Sequence, residues 1–240
     1  MKLKGSIVAP TLLAGLLAAW PGGSLTAQAP ASPDQLVAAL KQNLANGQKQ
    51  LRQYEWIETT SIALKGEEKA RTQKRVYYGA DGKLMKVPIG EPAPKAAPSG
   101  GRGGRLKAQV IENKKDDMKD YMERASALIQ KYVPPNPATI QKAKDAGHMI
   151  VQPPQQGKIH VEFKDFVQPS DLMSLDVSDK AALLALNVAT YLDKKEDAVT
   201  LDVRFGTLAD GTSYTASTTL NAKAKNLTVV VANAGHKPLK

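Results

Sequence analysis

The last third of this chain is written with a period of two. Segments 172–177, 183–192, 199–205, 214–220 and 227–231 alternate apolar and polar residues between polar or glycine-bearing connections. Leu184, Leu186, Val188 and Leu192 share one side of such an alternation, and Val199, Leu201, Val203 and Phe205 share another. Successive side chains point to opposite faces only in a pleated strand, so the pattern demands half-buried strands. Consecutive hairpins are the default way to join them. Alanine and leucine in 183–192 would also suit a helix, but Asn187, Val188, Thr190 and the flanking meander favour a strand.

The same period appears earlier. Over 54–65, Tyr54, Trp56, Glu58, Thr60, Ile62 and Leu64 take one face, while Glu55, Ile57, Thr59, Ser61, Ala63 and Lys65 take the other. A turn at 66–69 leads to a second strand over 70–79. The hairpin Ala80-Asp81-Gly82-Lys83 leads to a third over 84–87. Tyr78-Gly79-Ala80-Asp81-Gly82 and Phe205-Gly206-Thr207-Leu208-Ala209-Asp210-Gly211 repeat one device, a strand running into an Asp-Gly turn.

Helices flank these strands. Ser32 offers an N-cap, Pro33 suits the first helical position, and Asp34 complements the dipole. Leu36, Ala39, Leu40, Leu44 and Leu51 then give an apolar stripe over 33–53. A charged helix is expected over 107–132, with Val110, Ile111, Met118, Tyr121, Met122, Ala125, Leu128, Ile129 and Tyr132 on its apolar side. A short one follows over 137–146, ended by Gly147. His148 to Gln152 and Lys158 to Phe166 read as strands around a proline- and glutamine-rich turn. Residues 88–105, rich in proline, glycine, alanine and serine, read as a flexible surface loop. The fold class expected is α+β: a curved, half-barrel-like antiparallel sheet with an N-terminal helix and inserted helices on one face. It forms a single domain over 32–240.

The first residues supply an address. Lys2 and Lys4 precede an apolar run from Ile7 to Trp20, with Ala27, Ala29 and Ala31 beyond it, the form of a secretory signal peptide over 1–29. Cleavage between 27 and 31 fits, with Pro30 disfavouring a cut after Ala29. The run is short for a span, which needs about 20 apolar residues. The mature chain is therefore expected in the periplasm or secreted, and not integral to a membrane. The absence of cysteine removes disulfides, a lipid-anchoring thiol and thiolate metal sites together. Losing Lys2 and Lys4 lowers the formal charge of +10 by two, to +8. That balance favours anionic envelope components, although scattered lysines also simply keep a protein soluble. The arginine-glycine tract near 100–105 resembles RNA-binding segments, but an exported chain rarely meets nucleic acid, and none is expected as a partner.

Catalytic chemistry finds little support. His148 and His160 flank a predicted hairpin and are candidates to face each other, while His236 lies in the tail. No third ligand stands at metal spacing, so no metal and no cofactor is expected. There is no nucleophile elbow and no phosphate-cradling glycine loop. The pairs Glu67-Glu68, Asp116-Asp117 and Glu196-Asp197 read as solvated charges. Glu58 shares a face with Trp56, Ile62 and Leu64, where burial would raise its pKa unless that end of the strand is wet. Asn226-Leu227-Thr228 matches a glycosylation sequon, a weak signal alone.

An N-terminal amphipathic helix feeding a curved antiparallel sheet, with further helices inserted midway, resembles the periplasmic lipoprotein-carrier (LolA/RseB-like) superfamily over about residues 33–232. The stretches 54–60 and 64–69 are also similar to uncharacterised exported bacterial proteins. The superfamily likeness implies a half-open barrel whose inner face holds acyl chains; no motif carries functional positions across. Candidate cavity-lining residues are Trp56, Ile62, Leu64, Tyr78, Leu186, Val188, Val203 and Phe205, all of which would equally serve an ordinary core. The leading expectation is a non-enzymatic binding protein for a lipid, an acyl chain or a lipidated protein. The alternative is an envelope interaction or sensor module that uses its basic surface, and a hydrolase comes third.

Overall fold

The computed structural model describes residues 32–90, 104–133 and 135–239. The expected signal peptide and its cleavage region lie outside the described residues, as does most of the 88–105 loop. Helix α1 (Pro33–Leu51) begins where its capping signal stands: the Ser32 hydroxyl accepts the Gln35 N–H at 3.3 Å, and Pro33 opens the first turn. The chain continues through β1 (Tyr54–Leu64), β2 (Glu67–Tyr78), β3 (Leu84–Ile89), α2 (Gly104–Ile129), α3 (Pro137–Asp145), β4 (Met149–Val151) and β5 (Lys158–Lys164). It ends in β6 (Leu172–Ser178), β7 (Leu183–Tyr191), β8 (Ala198–Thr207), β9 (Ser213–Ala222) and β10 (Leu227–Pro238).

All strands join one curled, open antiparallel sheet in the order β3-β2-β1-β10-β9-β8-β7-β6-β5-β4. This is the expected α+β class. Two runs of consecutive hairpins, β1–β3 and β4–β10, are stitched together by pairing β1 with β10, Thr60 opposite Val231. Among the described residues the free edges are β3 and the three-residue β4.

Several boundaries differ from expectation for identifiable reasons. The first hairpin turns on Lys65 and Gly66 alone, with φ of 54° and 83°, so β2 starts at Glu67 and not at 70. These left-handed values suit a two-residue hairpin, whose twist matches its strands. Strand β3 runs on to Ile89, tolerating Pro88 because it lies at an edge. Strand β10 continues seven residues past the expected end at 231, held by β1 and bent at Gly235 (φ 66°), where a bulge lies opposite Trp56. A further irregularity pairs Asp176 with Ala185 but Val177 with Leu183, so Leu183, not Leu184, joins Leu186 on the core side.

The inner face carries the helices. Val161 and Phe163 of β5, Leu175 of β6, Leu186 of β7 and Val203 of β8 pack with Leu36 and Leu40 of α1, Leu128 of α2 and Ile140 of α3. Each such buried side chain contributes roughly 1.5–3 kcal/mol. Alternation sends His160, Glu162, Ser174, Asp176, Asn187, Asp202 and Thr219 to the opposite, polar face.

Candidate functional site

Two tyrosines on one side of α2 and its C-terminal turn fix this helix over the inner face. Tyr121 and Tyr132 are separated by about three helical turns and point the same way. The buried Tyr121 hydroxyl donates to Asp197 at 2.7 Å. The Tyr132 hydroxyl donates to Asp171 at 2.6 Å and lies 2.9 Å from the Thr190 hydroxyl. Burial first, and then the adjacent carboxylate, push both phenols above their ordinary pKa. Asp171 also accepts the backbone N–H groups of Phe166, Val167 and Gln168 at 2.6, 2.9 and 2.9 Å. Asp197 corrects the reading of Glu196-Asp197 as solvated: Glu196 is exposed, Asp197 is buried.

Coverage of the inner face is uneven. Over β5–β8 its residues are buried, whereas Thr60 and Ile62 of β1, Thr218 and Leu220 of β9, and Val229 and Val231 of β10 are only half-buried. A groove of about 930 Å³ follows α2, lined by Met118, Met122 and Ser126 of the helix, with Asp117, Lys119 and Glu123, and by Leu64 of β1 and Lys225 of the β9–β10 connection. Between α1 and β8–β9 lies a second cavity of about 240 Å³, lined by Leu40, Leu44, Leu51, Val133, Leu183 and Phe205.

All eight candidate residues lie on the inner face, but in separate places. Leu186, Val188 and Val203 are fully enclosed in the core. Leu64 borders the larger groove, Ile62 packs in the cluster under Tyr121 and Ala125, and Phe205 borders the smaller cavity. Trp56 and Tyr78 belong to an aromatic row: Trp56 lies 6.2 Å from Tyr78 and stacks on His236 at 5.6 Å, and His236 lies 4.1 Å from Tyr214. The Trp56 indole N–H donates to Asn233 at 3.1 Å. His236 is therefore no tail residue; burial lowers its pKa. Glu58 is buried, so this end of the strand is not wet, yet its surroundings are not apolar alone, because Lys86 reaches it at 2.6 Å.

The histidine hairpin is also corrected. Gln152 donates to the His160 carbonyl and Lys164 to that of His148, which puts the two histidines at opposite ends of β4–β5. His160 instead sits on the polar face between Asp176 at 2.6 Å and Glu162 at 3.4 Å, and the Asp176 hydrogen bond raises its pKa. Both ring nitrogens face carboxylates, so neither holds a hydroxyl nucleophile. Among the described residues no group of His, Asp or Glu is arranged to hold a metal ion, and no helix is long and apolar enough to cross a membrane.

No family model matches this chain, and neither a curated protein nor a solved structure is similar to it.

Proposed function

We propose that this is an exported, non-enzymatic binding protein that takes a lipid, or the acyl chain of a lipidated partner, on the inner face of its curled sheet. The observation supporting this reading is the half-covered face over β1, β10 and β9, with the apolar groove of about 930 Å³ along α2. That size falls within the range of small-molecule sites, about 300–1,000 Å³. Unbranched, polarisable Met118 and Met122 on the groove wall adapt readily to a flexible chain. Lys225 and Lys119 offer cations to an anionic headgroup, and Asp117 and Glu123 share the lining with them. The resemblance to lipoprotein carriers points the same way, through architecture only.

The test is native mass spectrometry of the mature chain, isolated from its own envelope without detergent, followed by solvent extraction. A stoichiometric lipid is expected, and Met122→Lys should abolish its retention while leaving the circular dichroism spectrum unchanged. A clean apo mass, together with no uptake of an added fluorescent fatty acid, would remove this reading.

A further inference from the structure

Seven large apolar side chains stand well exposed among the described residues, and four of them lie on one edge strand. These are Leu84 at 44 %, Met85 at 43 %, Val87 at 38 % and Ile89 at 45 % of β3. Sheets ordinarily blunt their edges, because an exposed apolar edge strand recruits another strand. The opposite edge follows that rule: β4 is only three residues long.

Among the described residues, the outer side of the β3 backbone is unpaired, in a defined register. The Gly79 N–H donates to the Lys83 carbonyl at 2.9 Å, which makes this a hydrogen-bonded pair of the β2–β3 ladder. Alternation then turns the groups of Met85, Val87 and Ile89 towards β2 and those of Leu84, Lys86 and Pro88 outwards. Leu84 and Lys86 each present an N–H and a C=O, and Pro88 presents a carbonyl alone. The side chains of Met85, Val87 and Ile89 flank this ladder on the outer face.

Charge selects the occupant. The β2–β3 hairpin, Glu67 to Ile89, carries Lys69, Arg71, Lys74, Arg75, Lys83 and Lys86 against Glu67, Glu68 and Asp81, and beyond Lys69 only Asp81 is acidic. Among the described residues, Arg71 and Lys74 have no ion-pair partner. A second copy would bring the same basic hairpin against this one, and like charges directly opposite are destabilising. We propose that β3 is a docking strand for an extended, apolar polypeptide segment with acidic flanks, contributed by a protein partner and added to the sheet as a further strand.

The probe is a short labelled peptide of alternating valine and threonine with glutamate flanks, compared with the same peptide carrying lysine flanks. Anisotropy titrations on the mature chain should favour the glutamate form by about tenfold or more at low salt, with the advantage shrinking as salt rises. Bound peptide should slow amide exchange at Leu84 and Lys86. Val87→Thr with Ile89→Thr, both at exposed positions, should weaken binding about tenfold, and Arg71→Glu with Lys74→Glu should reverse the flank preference. Equal binding of the two peptides, or unchanged exchange at Leu84 and Lys86, overturns the proposal. So does a concentration-dependent dimer that protects those amides without peptide, because it assigns the edge to a second copy.

Discussion

Replacing each anchoring tyrosine by phenylalanine removes one oxygen and leaves the packed ring in place, so the hydroxyls can be weighed separately. In Tyr132→Phe the lost bond ran to Asp171, a charged acceptor that retains three backbone N–H donors. The Thr190 hydroxyl keeps the Gln168 amide as a donor at 2.8 Å but loses the Tyr132 oxygen to which it donates. Hydrogen bonds to charged groups are worth about 1.5–3 kcal/mol and neutral ones about 0.5–1.5 kcal/mol. A cost near the lower end of the two together, about 2–3 kcal/mol, follows from these ranges, because no charge is left unpaired. In Tyr121→Phe the carboxylate of Asp197 loses the one side chain among the described residues that donates to it, while staying buried. An unsatisfied buried charge adds a desolvation penalty, which takes the expected cost to about 3 kcal/mol or more. Urea unfolding of the two variants and the parent, compared at constant m, gives both numbers. Tyr121→Phe must be the more damaging. The reverse order, or losses of both below about 0.5 kcal/mol, would refute the argument that these hydroxyls hold α2.

Two further outcomes follow from local geometry. His160 has a raised folded-state pKa, so its contribution is fully present below the unfolded value of about 6.5 and fades as pH climbs through the folded one. Melting of the parent and His160→Gln across that window should show a stability gap that closes with rising pH; a gap that widens would contradict the assignment to Asp176 and Glu162. At Gly206 an added Cβ would come within 2.8 Å of the Tyr214 ring, which also packs 4.1 Å from His236. Gly206→Ala should therefore cost about 1–3 kcal/mol and alter the near-ultraviolet signal of the aromatic row, whereas an unchanged spectrum would show that Tyr214 moves freely.

Local signals in this sequence read well because their physics is local. The Ser32 cap forms as expected, and both Asp-Gly devices fold alike: Lys83 N–H to Asp81 at 3.0 Å, Thr212 N–H to Asp210 at 2.9 Å. Strand faces were legible from parity, which is why all eight candidates fall on the inner face. Their separation into core, groove, cavity and aromatic row was not, because it depends on where the helices land. The pairing of β1 with β10 joins segments far apart in the chain and leaves no periodic trace. Residues 232–238, Ala-Asn-Ala-Gly-His-Lys-Pro, lack β-branched side chains; their strand exists because β1 offers a partner. Asp197 looked solvated, and Asp171 carried no signal, because their partners, Tyr121 and Tyr132, lie well away in sequence.

Element lengths explain why the inner face is left half-covered. Ten strands about 4.8 Å apart span about 43 Å between the outermost two, and α2, with 26 residues at 1.5 Å each, is about 39 Å long. One helix can therefore cross most of the sheet, but with side chains it is only about 10–12 Å wide. Strands β5 and β6, of seven residues, extend about 23 Å, a length that two helix widths nearly cover. Strands β1, β2 and β10, of 11, 12 and 12 residues, extend about 36–40 Å and cannot be covered by the same two widths. A strip of inner face must remain where the strands are longest, and the half-buried Thr60 and Val231 lie there. This bare strip is thus a consequence of strand length set against helix width, not of a missing side chain. Single large-to-small substitutions in the β5–β8 core should leave it intact.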